Sequence, residues 1–491
     1  MTDNKLQVLL EMRPALDGFA GIPQETRLLF RGLCTMPALQ VQGLLQTSMH
    51  FLAADVVASL DAQPPTNRFD VVDLYLRRRR VALWLALATL LLPRYRAVKT
   101  TLFEPHNFAG FFWQRLFAKT LPVADYVLVT VPSYRVCRVP WNVMQSAGLY
   151  ALKLLRRPAY PRLDTTGVDV FITQTPYPAQ LGRHTKMVVR YHDALPILMP
   201  HAFANAARHH ATHWHALRSN VESGAYFACV SEATRQDLLR LFPQVADRAV
   251  TIHNMVSHEY FDEESSAQEV LKIVRTRLNK QSLQTRPKFT FAGQQDSFYQ
   301  QHLGAPFKYL LMVSTIEPRK NHLTLLAAWQ DIRAQLDPSI KLVLVGSLGW
   351  DVAPILQPMR EWIDQGALFV LSGVPAAELR VLYKHAAVTV CPSLAEGFDY
   401  SGVEAMRCGG VVIASDIAVH REVYEAAAEY FEPHSKIALV EVCKKVLYDS
   451  SATEIQNSLR LGSKTVSAQY LPQAILPKWN DFLLRLTTTN I

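Results

Sequence analysis

CPSLAEGFDYSGVEAMRCGGVVIAS, residues Cys391 to Ser415, is the stretch on which the reading of the fold turns. A short apolar run from Ala387 to Cys391 reads as a buried strand, and Pro392 and Ser393 end it. A loop follows, and a helix begins near Ser401 to Gly402. That helix closes at Gly409 and Gly410, where a left-handed turn costs least, and Val411 to Ala414 starts the next strand. Strand, loop, helix and strand in this order make one unit of a parallel sheet. Ligands of such sheets lie beyond the strand carboxyl ends, so the loop Ser393 to Gly402 is expected to face one.

Two carboxylates frame the loop, Glu396 within it and Glu404 in the first helical turn. One acid then stands beside the bound group, and the other at a helix N-terminus, where free N–H groups and the positive dipole end favour an anion such as a diphosphate. A sugar nucleotide carries that anion between two hydroxyl-rich rings, from which carboxylates accept hydrogen bonds. A solvated loop acid followed by a dipole-matched helix starter would give the same spacing. The wider context separates the two. PSLAEGF and VEAMRCGGVVIASD resemble, nearly residue for residue, the donor-site signature of retaining GT-B glycosyltransferases of family 4, with Glu396 and Glu404 on its two acids. The resemblance implies an α/β fold of two Rossmann-like domains whose parallel sheets face across a cleft. It also implies donor contacts from Gly397, Phe398, Ser401 and Gly402.

With 491 residues the chain can bury large cores, and two domains are expected. A 49% hydrophobic and 19% charged composition is that of a globular protein, not a disordered one. The N-terminal TDNKLQVLLEMRP lacks a basic region followed by a long apolar core, so no signal peptide is expected. No apolar run approaches the roughly eighteen residues of a membrane-spanning helix. Six cysteines are scattered without zinc-like or CxxC spacing, which fits a reducing, cytoplasmic compartment. The net charge of +9 is uneven: Arg77 to Arg162 holds 12 Arg and 3 Lys against Glu104 and Asp125, an excess of 13, leaving −4 elsewhere. An anionic partner is therefore expected for that region and not for the whole molecule.

Lys5 to Leu10 reads as a first strand, followed by Gly18 and Gly21 and a helix from Gln24 to Leu33. GFAGIPQETRLLFRGL is similar to the family's glycine loop near the acceptor and reacting sugar, with Gly21 at the ligand. A plain tight turn explains the same glycines. Arg77 to Arg80 precede VALWLALATLLL, then Pro93, Arg94 and Arg96, and NFAGFFWQRLFAKTLP again mixes aromatics with Arg115 and Lys119. Two arrangements satisfy this pattern: contact with an anionic membrane surface through residues 77–162, or a buried helix with snorkelling arginines. The apolar content is too high for a phosphate-binding face, so no nucleic acid is expected. Residues 50–165 otherwise read as an insertion in an N-terminal domain of residues 1–261.

Val168 to Thr173 and Lys186 to Tyr191 continue the first sheet, and the latter ends in His192 and Asp193. An imidazole past a strand end, held by a neighbouring carboxylate, can hydrogen-bond a substrate hydroxyl or a leaving phosphate. VVRYHDALPILMP resembles the family's His-Asp segment, which implies that His192 contacts the sugar. His209, His210, His213 and His215 include an i, i+4 pair but no third ligand motif, so no metal is expected. Residues 262–305, with seven glutamines, read as a polar linker or insertion.

Phe307 to Ser314 opens the second domain, residues 306–470, and leads through TIEPRKN to a helix from His322 to Ile332. Arg319 and Lys320, between strand end and helix start, suit a diphosphate. STIEPRKN resembles the family's phosphate-gripping loop, although many relatives carry a further Arg where this chain has Ser314. Gly373 and Val374 follow the strand Leu368 to Ser372, where relatives place the nucleotide base, and Glu422 matches a polar position of the motif. LPQAILPKWNDFLLRL, within residues 471–491, reads as a helix that in relatives crosses back onto the first domain.

The resemblance implies transfer of a hexosyl group from a nucleoside diphosphate sugar, with retention, to a membrane-associated polysaccharide or lipid-linked glycan. Mannose or a deoxyhexose is favoured, GDP-linked first and UDP-linked next, at the inner face of the cytoplasmic membrane. Glu396 would orient the sugar, Glu404 hold ribose, and Arg319, Lys320 and the helix end at Gly402 stabilise the leaving diphosphate. Two other functions fit the same residues: a nucleotide-sugar epimerase, which alters its donor without an acceptor, and a catalytically silent membrane-bound scaffold, which binds vesicles but no nucleotide sugar.

Overall fold

A computed structural model describes residues 5–18, 21–53, 55–62, 67–92, 95, 97–279 and 284–488. The chain divides into two compact units: residues 1–200, 205–255 and 475–491 form the first, and residues 201–204 and 256–474 the second.

The first unit is built on eight strands: β1 (Leu6–Glu11), β2 (Leu39–Leu45), β3 (Thr100–Phe103), β4 (Tyr134–Cys137), β5 (Val170–Thr173), β6 (Lys186–Tyr191), β7 (Tyr226–Cys229) and β8 (Ala249–Thr251). They lie in the order β3-β4-β2-β1-β5-β6-β7-β8, all parallel except β3, which pairs antiparallel with β4. The central strands are apolar runs because helices cover both of their faces. Leu10, Ile172 and Val188 point into one core, and Leu9, Phe171 and Val189 into the other.

Two expectations for residues 50–165 change here. The region is not merely an insertion, since β3 and β4 extend the sheet itself. The aromatic run NFAGFFWQRLFAKTLP is not an exposed basic face either: Phe112, Trp113, Leu116 and Phe117 are buried, with Phe117 stacked on Phe30 and Phe112 edge-on to Tyr134. Ring area of this size is worth more in a core than at a surface. The other arginine-flanked stretch behaves differently. It is one helix, Arg68–Leu91, capped by Asn67, whose outer side stays exposed. Pro93, Arg94 and Arg96 lie outside the described residues. Among the described residues, no helix is long and apolar enough to cross a membrane.

The second unit carries six parallel strands, β9 (Tyr309–Val313), β10 (Lys341–Val345), β11 (Leu368–Leu371), β12 (Val388–Cys391), β13 (Val412–Ser415) and β14 (Ala428–Phe431), in the order β11-β10-β9-β12-β13-β14. The order reverses between β9 and its neighbours β10 and β12, the place where a doubly wound sheet opens a crevice at its carboxyl edge. The stretch 262–305 is not a linker. It contains helices Ala267–Leu278 and Ala292–Leu303, the first started by a Ser266–Glu269 capping box and fixed by Arg277 donating twice to Glu378, both at 2.5 Å. Val270, Leu271, Val274 and Leu278 carry its buried face, a helical period that the glutamine-rich average conceals.

Candidate functional site

The site grows from the ends of β9 and β12, which pair through Leu310 and Val388. After β9 the chain makes a short turn over Pro318–Lys320, and Asn321, in the left-handed region at φ 62°, starts helix His322–Gln335. An asparagine tolerates that conformation when its amide is used. Here the Asn321 Nδ2 donates to the carbonyls of Pro392 and Pro433, at 3.0 and 2.8 Å. Leu394 N donates to Arg319 O at 3.0 Å and Arg319 Nη1 to Ala395 O at 2.6 Å, so the loops after β9 and β12 are stitched together. Gly346, after β10, completes the seam: a Cβ there would stand 1.8 Å from Ser314 O.

This stitching brings Arg319, Lys320 and Glu396 into one cluster. Arg319 Nη1 lies 2.9 Å from Glu396 Oε2, Arg319 Nη2 lies 2.9 Å from Glu317 Oε1, and Lys320 Nζ grips Glu396 Oε1. The Glu396 side chain is 7% exposed and those of the two cations 14%. Burial alone would raise the Glu396 carboxyl, but Arg319 and Lys320 outweigh it and hold the group below its ordinary range. Burial prevails at Glu317, which is raised. The pair of cations thus meets an anion of the protein at the place where an incoming one is expected.

The neighbouring helix, Tyr400–Arg407, starts earlier than the sequence suggests. It begins before Gly402, so Glu404 sits in its second turn. Its N-terminus is already capped: Asp399 Oδ1 accepts from Ser401 N at 3.1 Å and from Ser401 Oγ at 2.7 Å, and Asp399 Oδ2 pairs with His420 Nε2 at 3.1 Å. Burial works against the charge on Asp399, yet His420, Lys320 and Ser401 keep the carboxyl well below the usual range. Gly402 is small for a packing reason, since a Cβ would fall 2.3 Å from the Tyr424 ring, which stacks on His420. Glu404 is buried and accepts from the Tyr383 hydroxyl at 3.2 Å.

The remaining positions scatter. Phe398 is buried edge-on to Tyr400 and Tyr470. Gly397 lies in the loop between Glu396 and Phe398, partly exposed. Ser314 Oγ is 3.3 Å from His322 Nε2, in an imidazole that burial and Lys320 lower to about 3. Gly373, at φ 62°, offers its carbonyl to Arg277 Nη1 at 2.7 Å, and Val374 beside it is buried.

His192 and Gly21 belong to the first unit. Gly21, at φ 71°, precedes helix Ile22–Cys34; residues 19–20 of the glycine loop lie outside the described residues. His192 Nε2 stands 3.0 Å from Gln174 Oε1, and Asp193 Oδ1 accepts from Leu195 N. Gln174 N donates to Glu11 Oε2 at 2.8 Å, so the ends of β1, β5 and β6 share one polar chain. Burial and Arg190 lower the imidazole well below its ordinary value and keep it neutral.

A family model described as Glycosyl transferases group 1 matches residues 277–461, which hold all of this second-unit cluster. These residues are a glycosyl transferases group 1 domain. Over 239 residues the chain is 29% identical to O-antigen chain mannosyltransferase B of Escherichia coli, covering 49% of this chain and 56% of that protein. It is 25% identical over 268 residues to the serotype-specific mannosyltransferase WbdA of Escherichia coli, covering 54% and 30%. The chain thus spans about half or less of the length of these curated relatives. Sucrose-phosphate synthase from Thermosynechococcus elongatus matches at a TM-score of 0.61 with 16% identity, covering 99% of this chain and 100% of that one. HepE of Anabaena, solved with UDP and glucose, matches at 0.56 with 13% identity, covering 99% and 100%. These likenesses establish the GT-B fold, a group 1 domain joined to a second Rossmann-like unit.

Sequence reading missed Asp399, His420, Tyr424 and Glu317 in the group 1 domain, and Glu11 and Gln174 outside it. One signal was present: Asp399 two residues before Ser401 is a strong N-cap pattern, which would have moved the helix start forward.

Proposed function

We propose that the chain transfers a hexosyl group from a nucleoside diphosphate sugar to a hydroxyl of a membrane-associated polysaccharide or lipid-linked glycan, with anomeric retention, at the inner face of the cytoplasmic membrane. The observation that carries this reading is the gathering of Arg319 and Lys320 against Glu396 at the ends of adjacent strands in the group 1 domain. Mannose is favoured because the curated relatives carry that sugar in their names, and GDP is its expected carrier. UDP comes next, as the nucleotide held by HepE.

In this reaction the diphosphate replaces Glu396 on Lys320 and Arg319, and the freed carboxylate turns to the sugar. The two cations stabilise charge that grows on the departing phosphate as the anomeric C–O bond breaks, the largest contribution expected of such a site. Glu404 takes a ribose hydroxyl while sharing its carboxylate with Tyr383. His192, held neutral, can accept a hydrogen bond from a substrate hydroxyl. The acceptor oxygen attacks on the face that the phosphate leaves, and its proton passes to the departing phosphate oxygen. With Ser314 in place of a further arginine, Lys320 and Arg319 carry most of this stabilisation.

The test is incubation with GDP-mannose, with and without a lipid-linked glycan acceptor. Mannose incorporated only when acceptor is present, and lost in Lys320→Ala, supports the reading. Donor altered without acceptor would replace it with an epimerase.

A further inference from the structure

We propose that the helix Arg68–Leu91 docks in the plane of an anionic lipid bilayer. The inner side of its second half is committed: Ala82, Leu85, Ala86 and Ala88 are buried, and the helix packs on helix Trp141–Tyr150 of the same unit, whereas Val71 and Tyr75 on that side of the first half are exposed. The outer side is apolar as well. Phe69, Val72, Leu76, Leu83, Trp84, Leu87 and Leu91 are all exposed, Trp84 at 52% and Leu91 at 75%. At about 100° per residue these seven fall in one stripe roughly 120° wide. Asp73 and Arg80 lie within the stripe, and Arg77 and Arg79 stand on its two edges, all four exposed. Arg77 also covers the Phe51 ring at 4.5 Å, which fixes one edge to the body of the unit.

From Leu83 to Leu91 the stripe is unbroken by charge, and an exposed apolar face of this kind is uncommon on a soluble surface. Its shape and charge select the occupant. The 24 residues run about 36 Å, but only the last half is continuously apolar, too short to cross hydrocarbon and suited to the headgroup boundary. Asp70 and Asp73 sit in the first two turns, and no further acid occurs before Glu104, whereas Arg77 to Arg80 and then Arg94, Arg96 and Lys99 are all basic. Cations that border an apolar face match anionic headgroups above an acyl layer. A second copy of the chain matches poorly. The midpoint of the helix is at Arg79 and Arg80, so a twofold antiparallel pair would cross with these arginines against one another. The proposal stands independently of the transferase reading.

The experiment is co-sedimentation of the full chain with vesicles of phosphatidylcholine containing about one third phosphatidylglycerol, against pure phosphatidylcholine. Binding is expected to the anionic vesicles and to be at least tenfold weaker to the neutral ones. Trp84→Glu with Leu87→Glu should weaken it by tenfold or more. Arg79→Ala with Arg80→Ala should weaken it about twenty-five-fold, at fivefold per cation, and more salt should mimic that loss. Both double variants alter exposed side chains, and an unchanged affinity for soluble nucleotide serves as the check that each is folded. The proposal is overturned by no binding to anionic vesicles, by equal binding of the Trp84, Leu87 variant, or by a dimer that this variant dissociates.

Discussion

Replacing Glu396 by Gln should tighten the grip on nucleoside diphosphate while abolishing transfer. The Glu396 carboxylate lies about 3 Å from Arg319, in contact with Lys320, and largely shielded from water. An incoming diphosphate must take those cations from it and then remain near the displaced carboxylate. At about 6 Å, one pair of unit charges repels by roughly 0.7 kcal/mol in water and about 3 kcal/mol at an effective dielectric near 20. The site lies between these limits, so losing the carboxylate should gain about 1–2 kcal/mol, or five- to thirtyfold in Kd for GDP. Removing the group that orients the sugar should lower kcat at least a hundredfold. Isothermal titration with GDP and a steady-state transfer assay read the two halves separately. Weaker or unchanged GDP binding in Glu396→Gln would refute the idea that this carboxylate occupies the anion position.

Three further outcomes follow from the same geometry. His322 is held neutral to about pH 3, against an ordinary value near 6.5, and an unfolded chain would take up the proton that the fold refuses. Its contribution is therefore complete above pH 6.5 and declines below it, so the stability lost between pH 7 and pH 5 in urea unfolding should shrink by about 2 kcal/mol in His322→Gln. Gly402→Ala drives a methyl into the Tyr424 ring and should cost about 1–3 kcal/mol, much of it recovered when Tyr424→Leu is added; thermal melting of the three variants checks this. Asp399→Ala removes a helix cap and the buried partner of His420, and should lower the melting temperature more than Asp399→Asn, which keeps the cap.

Much of this was legible in the residues. Apolar runs such as YLLMV and VTVC, broken by Gly and Pro, announce buried parallel strands because both of their faces are covered. Motif resemblance then placed Arg319, Lys320 and Glu396 in one unit before any distance was known. What escaped depends on the third dimension. That Glu396 would neutralise the two cations follows from the seam between the loops after β9 and β12, which no spacing encodes. That Gly402 also seats Tyr424, 22 residues away in sequence, is a packing demand no motif spells out. Both basic stretches of the first unit combine apolar side chains with arginine on paper. Packing sent Phe112 and Phe117 inward, where Phe30 and Tyr134 were waiting, and left Trp84 and Leu87 outside because the opposite face of their helix was already committed.

The most direct test is a crystal structure of the chain with GDP bound. The phosphates should lie within hydrogen-bond reach of Lys320 and Arg319, with the Glu396 carboxylate moved off both. A nucleotide found elsewhere in the molecule, or phosphates bound while Glu396 still holds the two cations, would contradict the account.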